Sequence, residues 1–287
     1  MASKKLMQLF SIDTGYFKLD GGAMFGVVPK SIWQKTNPAD ENNLCTWAMR
    51  CLLIQDANKL ILIDTGIGTK MEPKMAGYYY LHGPNSLTSS IQQAGFSVAD
   101  ITDVFHTHLH FDHCGGSVNY NADRTRLELA FPNARYWTNP DHYKWATEPN
   151  AREKASFLKE NIQPLVDSGQ LHFIQPGADS PFLPFEIIYV NGHTDKMMLP
   201  VIRYKGKTIV YMADLLPSVG HLPVPYVMGY DTRPLLTLAE KATFLQEAAD
   251  QEYILFLEHD PEHECCTVKH TDRGVRLDHS FLLADVL

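Results

Sequence analysis

Residues 106–113 have the sequence His106-Thr107-His108-Leu109-His110-Phe111-Asp112-His113, which places four imidazoles and one carboxylate within eight residues. The stretch comes directly after the apolar run 101–105, whose composition is typical of a buried strand. Histidine is the commonest metal ligand in proteins, and imidazoles combined with a carboxylate suit zinc or a similar divalent ion. The stretch therefore predicts a metal site at the end of a strand.

Three further residues with metal-binding side chains also follow strand-like runs. His193, Asp214 and His259 each come shortly after an apolar, β-branched segment. In open α/β folds, side chains beyond the carboxyl ends of strands meet in one crevice, because the rigid strands fix the loops that carry them. The gaps between these residues are far too wide for a zinc finger, whose ligands cluster in one short segment. We therefore expect a site that is assembled by a whole fold.

Strand-like runs recur along the chain and alternate with helical patterns. Turn residues separate some of the runs, as at Lys205-Gly206-Lys207 and Asp56-Ala57-Asn58, and predict hairpins. Helices are predicted after Ser86, from 150 to about 166, and from 234 to about 251. The strand-like runs are 46–54, 60–63, 101–105, 134–137, 171–174, 185–190, 198–204, 208–212 and 253–257. Since no linker or repeat divides the sequence, we predict one α/β domain over 1–287, with two mixed sheets packed face to face.

Composition argues against several classes of function. The chain of 287 residues has 25 Lys and Arg against 33 Asp and Glu, and the net charge of −8 disfavours nucleic acid as a partner. The five cysteines are an odd number and two of them are adjacent, which fits a reducing compartment better than a disulfide framework. The sequence lacks an evident signal peptide and the roughly 18 consecutive apolar residues needed to cross a bilayer. A cytoplasmic protein that does not enter the membrane is expected.

Five ordered motifs resemble those of a known family. The segment Thr107-His108-Leu-His110-Phe-Asp112-His113, followed by Gly115-Gly116, resembles the HxHxDH signature of the metallo-β-lactamase superfamily. The other four motifs also resemble those of the family, and they are Ile61-Leu-Ile-Asp64-Thr65-Gly66, Asn191-Gly192-His193-Thr194, Ala213-Asp214 and Glu258-His259-Asp260. The resemblance covers about residues 45–260. It implies a four-layer αββα sandwich in which two mixed sheets pack face to face between outer helices.

The resemblance also implies a dinuclear metal site. One ion would be held by His108, His110 and His193, and a second by Asp112, His113 and His259, with Asp214 bridging the two. Zn²⁺ is the ion expected, and such pairs lie roughly 3.5–4 Å apart and activate water for hydrolysis. Asp64 would lie beneath the site. His106 is outside the register of the motif and is assigned no ligand role.

Within the superfamily, the chain is most similar to the N-acyl homoserine lactone lactonases. A glycine-flanked segment near 20–35, with Met24, Phe25 and Trp33, resembles the loop that lactonases place over their metals, although Met24 and Phe25 could instead anchor the loop to the core. An aromatic and helical insertion near 134–168 contains Trp137 and His142. These could form a pocket wall or a helix-packing stripe.

One position departs from the lactonase pattern. Lactonases often carry a tyrosine three residues after the bridging aspartate, where its hydroxyl polarises the substrate carbonyl, and Pro217 stands at that position here. The same loop contains His221, and we predict that its imidazole supplies a replacement hydrogen bond. Asp112 is predicted to relay the proton. The predicted catalytic residues are therefore Asp112 and His221.

The resemblance implies hydrolysis of a carboxylic ester. The leading hypothesis is a quorum-quenching lactonase in which a metal-bridging hydroxide opens the ring of an N-acyl homoserine lactone. One alternative is an organophosphate or aryl-ester hydrolase of the same fold, and another is a metal-containing ligand sensor with little turnover. The expected partner is a small lactone or ester with an apolar tail. Apolar surface near the N-terminal loop could also serve a homodimer.

Overall fold

The computed structural model describes residues 7–175 and 182–286. These residues contain fourteen strands and eight α-helices. The strands are β1 Gln8–Asp20, β2 Leu44–Asp56, β3 Lys59–Ile63, β4 Asp103–Phe105, β5 Val118–Tyr120, β6 Leu127–Leu129, β7 Arg135–Thr138, β8 Leu171–Phe173, β9 Glu186–Val190, β10 Met197–Tyr204, β11 Lys207–Tyr211, β12 Ile254–Phe256, β13 Cys265–Thr271 and β14 Gly274–Phe281. The helices are α1 Gly21–Phe25, α2 Lys30–Trp33, α3 Pro73–Tyr79, α4 Leu87–Gln93, α5 Phe111–Cys114, α6 Pro140–Thr147, α7 Lys159–Asp167 and α8 Pro234–Asp250.

Two six-stranded mixed sheets form the centre of the molecule. The first has the order β1-β2-β3-β4-β7-β8 and the second the order β14-β13-β12-β11-β10-β9. In the first sheet β3, β4, β7 and β8 run parallel, whereas β1, β2 and β3 pair antiparallel. In the second sheet only β11 and β12 pair in parallel. A small third sheet joins β5 to β6.

The main hydrophobic core lies between the two large sheets. Ile54 and Ile63 of the first sheet belong to the same buried cluster as Leu199 and Ile209 of the second. Burial of two apolar sheet faces against each other removes a large nonpolar area from water, and this is the main stabilising contribution of such a layer. Helix α8 adds Leu245 to that cluster from outside the second sheet. The predicted four-layer αββα architecture is confirmed.

Most of the predicted elements are present, and the differences concern the start of one helix and several further strands. All nine strand-like runs form strands, and both predicted hairpins connect them as β2–β3 and β10–β11. The helix predicted from 150 begins only at Lys159, because Asn150 accepts hydrogen bonds from the backbone N–H groups of Arg152 and Glu153 and starts a series of turns. Strands β1, β5, β6, β13 and β14 are not among the nine predicted runs. Polar residues such as Gln8, Ser11 and Asp13 interrupt the apolar pattern of β1.

The N-terminal segment near 20–35 contains two short helices, α1 and α2, rather than an open loop.

All five cysteines are free and buried. Among the described residues, no helix combines the length and the apolar character needed to span a membrane.

Candidate metal centre

The ends of four strands place the predicted ligands at one edge of the sandwich. The histidine-rich stretch 106–113 follows β4, which lies between two parallel neighbours in the first sheet. His193 follows β9, whereas Asp214 and His259 follow β11 and β12, the one parallel pair of the second sheet. Because parallel strands end at the same edge, Asp214 and His259 are brought together across 45 residues of sequence.

Four of the seven predicted ligands form one group, which we call the four-residue group: His108, His110, His193 and Asp214. Nδ1 of His110 lies 3.1 Å from Nε2 of His108 and 3.2 Å from Nε2 of His193. The Asp214 carboxylate lies 3.1 Å from Nε2 of His193 and 3.5 Å from Nε2 of His108. Ligand atoms of all four residues can therefore contact one ion.

The other three predicted ligands form a second group, which we call the three-residue group: Asp112, His113 and His259. The Nε2 atoms of His113 and His259 are 3.3 Å apart, and Asp112 Oδ2 lies 3.8 and 3.9 Å from them. Asp214 also reaches this group, with Oδ2 3.2 Å from Nε2 of His113 and Oδ1 3.1 Å from Nε2 of His259. Asp214 thus contacts imidazoles of both groups, as expected of a bridging ligand.

The donor set fits divalent metal ions. On each of four imidazoles the nitrogen that faces away from the cluster contacts an oxygen acceptor, and these contacts are His108 to Thr107 Oγ1, His110 to Glu153, His193 to Asp231 and His259 to the carbonyl of Ala48. We call the nitrogen that faces away from the cluster the outer nitrogen and the one that faces the other ligands the inner nitrogen. If the outer nitrogens carry the protons, the inner nitrogens direct their lone pairs toward one another at 3.1–3.3 Å. Such an arrangement is satisfied by cations between the rings.

The electrostatic environment favours positive charge at the same place. Burial lowers the pKa of His193, but the carboxylates of Asp214 and Asp231 outweigh burial and raise the pKa to about 10. Burial likewise opposes the ionisation of Asp214, yet His193, His113 and His259 hold its pKa well below the usual range. A buried carboxylate that stays ionised among imidazoles needs compensating cations.

Of the four carboxylates that contact outer nitrogens of the ligands, only Asp64 was predicted from the sequence. Asp231 Oδ1 lies 2.9 Å from His193, Glu258 Oε2 lies 3.1 Å from His113 beside Asp64, and Glu153 Oε1 lies 3.3 Å from His110. Glu258 stands next to the ligand His259 in a motif, and this position could have indicated that it lies close to the metal site. Glu153 lay within a predicted helix, where a charged residue is normally solvent-exposed.

Five of the seven ligands line a cavity of about 350 Å³. Its apolar walls come from separate parts of the chain, namely Leu19, Met24, Phe111 and Met228. The rest of the lining consists of Tyr79, Arg152, Glu153, Ala155, Ser156, Gly229 and Tyr230. A larger and more open cleft of about 900 Å³, between β6 and α7, contains none of the seven side chains. The cavity above the ligands is therefore the candidate substrate pocket.

The predicted pocket residues of the N-terminal segment have different positions. Met24 lines the cavity. Phe25 is not part of the lining and instead packs in the core, with its ring centre 5.4 Å from that of Trp33 and 4.3 Å from that of His221. Trp33 is only 2% exposed. For Phe25 and Trp33 the structure supports the alternative that they anchor the segment to the core.

Trp137 and His142 of the insertion also lie outside the cavity lining. Trp137 donates from Nε1 to Asp103, 2.8 Å away, within the first sheet. His142 accepts from the backbone N–H of Leu109 at 2.8 Å and contacts the carbonyl of Asp195 at 2.6 Å. Because Leu109 separates two ligands, His142 fixes the ligand loop from behind rather than forming a pocket wall.

The position of His221 does not support its predicted contact with a substrate. Its Nδ1 lies 2.8 Å from Ser218 Oγ, and its Nε2 lies 2.9 Å from the carbonyl of Met24. Burial lowers the pKa of the ring to about 3, so it is neutral at pH 7. With both nitrogens engaged, His221 links the loop after Asp214 to α1.

Comparison with known proteins identifies the family. The family model of the metallo-β-lactamase superfamily matches residues 50–259, and the chain belongs to this superfamily of hydrolases. A probable metal-dependent hydrolase from Staphylococcus aureus is 27% identical, with a TM-score of 0.86 over 98% of both chains. A comparison with curated proteins found no match.

Two further solved structures share the fold. AidC, described as a dizinc quorum-quenching lactonase in complex with the product N-hexanoyl-L-homoserine, is 24% identical, with a TM-score of 0.76 over 98% of this chain and 97% of AidC. The hydrolase AbOPH of the β-lactamase superfamily is 19% identical, with a TM-score of 0.79 over 98% of this chain and 96% of AbOPH. At these identities the likeness concerns the fold alone.

Proposed function

We propose that the protein opens the lactone ring of N-acyl homoserine lactones, with two divalent ions, Zn²⁺ by expectation, held by the four- and three-residue groups. One observation supports this most strongly: the seven predicted ligands converge beneath a cavity of about 350 Å³ with apolar walls. The polar lactone ring would bind at the floor, next to the metal ligands, and the acyl chain would lie along the apolar walls. AidC, which shares this fold, is described as a lactonase in complex with its homoserine product.

The ligands and the cavity divide the work of the reaction. When bound, a pair of divalent ions activates water and neutralises charge on the carbonyl and departing oxygens. Asp112 is the most exposed of the three acidic or imidazole side chains in its group, with 13% of its side chain accessible, and it lines the cavity. We propose that Asp112 accepts a proton from the attacking water. It then gives this proton to the ring oxygen as the bond between the carbonyl carbon and the ring oxygen breaks.

The apolar walls provide binding for the acyl chain. Met24 and Met228 are nearly fully buried and both face the cavity, and Leu19 lies beside them in the lining. Each methylene that such a surface removes from water contributes about 0.8 kcal/mol. Unbranched methionine side chains adapt to chains of different length.

A base titration tests the proposal directly. Zinc-loaded protein should consume one equivalent of base per N-decanoyl homoserine lactone, because ring opening produces a carboxylic acid. The same sample should be assayed with a phosphotriester and an aryl ester, and the kcat/KM values compared. Absence of ring opening in a sample that carries both ions would rule out the lactonase assignment. Faster hydrolysis of the phosphotriester or aryl ester would favour the alternative enzyme, and tight product binding without turnover would favour a sensor.

A further inference from the structure

Glu153 is a buried carboxylate in contact with a predicted metal ligand. It lies in the turns between α6 and α7 and is only 3% exposed. Its Oε1 lies 3.3 Å from Nε2 of His110. The other nitrogen of His110, Nδ1, faces His108 and His193 within the four-residue group. When Nδ1 binds an ion, Nε2 carries the proton of the neutral ring, and this N–H donates a hydrogen bond to Glu153.

The Glu153 side chain is fixed by hydrogen bonds of its own. Its Oε2 accepts from Nε1 of Trp145 at 2.6 Å and from Nδ2 of Asn150 at 2.7 Å. The amide orientation of Asn150 is determined too, because its Oδ1 accepts from two backbone N–H groups of the same turn. One oxygen of Glu153 is thus held by two donors, and the other is aimed at His110. This geometry is that of a carboxylate that orients a metal-binding imidazole.

The same turn is connected to the segment that orients a second imidazole. Arg152 donates to the carbonyl oxygens of Gly229 and Asp231. The carboxylate of Asp231 in turn contacts Nδ1 of His193 at 2.9 Å. Residues 145–153 and 229–231 therefore support two of the three imidazoles in the four-residue group. No comparable contact of Glu153 reaches the three-residue group.

We propose that Glu153 is a positioning residue that holds the His110 ring and sets the metal affinity of the four-residue group selectively. The proposal rests on the metal-binding part of the proposed function and is independent of the lactone substrate. A protein that binds two ions but opens no lactone would leave it intact. A protein that opens lactones with unchanged metal affinities after loss of Glu153 would overturn it.

The substitution Glu153→Gln tests the contact with little change of volume. Trp145 and Asn150 both donate to Oε2, so the amide oxygen of glutamine must take that position. The amide nitrogen then faces the N–H of His110, and two donors meet where an acceptor stood. The variant thus removes the negative charge and places a donor where the acceptor of the His110 N–H stood, so this hydrogen bond is lost.

The measurement is a competition titration of metal-free protein with Zn²⁺ against a chelator, fitted to two sites, with Co²⁺ absorption spectra as a second readout. In Glu153→Gln one of the two affinities should fall about 10- to 100-fold, the range typical for loss of an outer partner of a metal ligand. The other affinity should stay within about threefold, or less than 1 kcal/mol. The control is Glu148→Gln, which removes the same charge from an exposed position of the same insertion and should alter neither site.

A milder variant covers the case in which Glu153→Gln does not fold. Trp145→Phe removes one donor to Glu153 while retaining a ring beneath Arg233, which lies 4.8 Å from the ring centre. It should weaken the same site by a smaller factor. In the double variant the two effects should not add, because both act through one carboxylate. Equal losses at both sites, unchanged affinities, or the same loss in Glu148→Gln would each contradict the proposal.

Discussion

The floor and the walls of the cavity are built in different ways. The seven side chains of the floor follow the ends of four strands, and six of them are buried. The walls come from segments between the strands, such as Met24 on α1 and Met228 in the segment before α8. The floor is therefore determined by the sheets, whereas the walls depend on how separate segments pack. Substitutions in the floor should abolish the chemistry, and substitutions in the walls should change the preferred substrate.

Asp214→Asn should have the largest effect, because Asp214 contacts both ligand groups. Two ions contribute several kcal/mol of charge stabilisation to hydrolysis, and the loss of about 4 kcal/mol corresponds to a roughly 10³-fold decrease in kcat. The measurement is the base titration with N-decanoyl homoserine lactone, with circular dichroism to show that the variant folds. Asp250→Asn, at an exposed carboxylate, is the matched control. A kcat within tenfold of the wild-type value would contradict the claim that the chemistry depends on the side chains of the floor.

Met228→Ala should have an intermediate effect that depends on chain length. Met228 is buried and lines the cavity, so the variant removes apolar contact with a long acyl chain. We expect kcat/KM to fall about tenfold for a decanoyl lactone and much less for a butanoyl lactone. Leu235→Ala, at a side chain that is 83% exposed and outside the cavity lining, should leave this ratio unchanged. Equal losses for both substrates would show that Met228 does not contact the acyl chain.

His221→Ala should affect stability more than turnover. The buried ring stacks on Phe25, and both its nitrogens have partners, so its removal should lower the free energy of unfolding by about 2–4 kcal/mol. For the folded fraction we expect kcat within about threefold of the wild type, less than 1 kcal/mol of barrier. Chemical denaturation and the base titration measure the two quantities. A tenfold lower kcat with unchanged stability would restore the catalytic role predicted from sequence.

Trp137→Phe should have the smallest effect on activity. Its indole N–H bonds Asp103 inside the first sheet, so the variant should lower the unfolding free energy by about 1–2 kcal/mol. Activity should remain within about twofold of the wild type, since the ring lies outside the cavity lining. Thermal unfolding and kcat/KM are the measurements. An altered KM for the decanoyl lactone would mean that the insertion forms a pocket wall after all.

The same contrast explains what could be predicted from sequence. Strand positions follow from local apolar runs, and the ligands follow at strand ends in ordered motifs, so their convergence was predictable. The partners of their outer nitrogens were not, because Glu153 approaches His110 through a turn set by Asn150. The predicted pocket residues were only partly right, because the sequence does not show the direction of a side chain. Met24 and Phe25 are adjacent, but only Met24 faces the cavity. Phe25, Trp33, Trp137 and His142 were recognised as aromatic residues of relevant segments, but a sequence does not show which face they occupy.

Elemental analysis of the purified, zinc-supplemented protein tests the central claim most directly. The seven converging ligands predict about two divalent ions per chain, falling toward one or none in Asp214→Asn. The wild-type sample must be folded, as judged by circular dichroism, and freed of loosely bound metal by gel filtration. About two ions per folded chain would support a paired metal site at this edge of the sandwich. A folded wild-type protein that retains no ion after supplementation would contradict it.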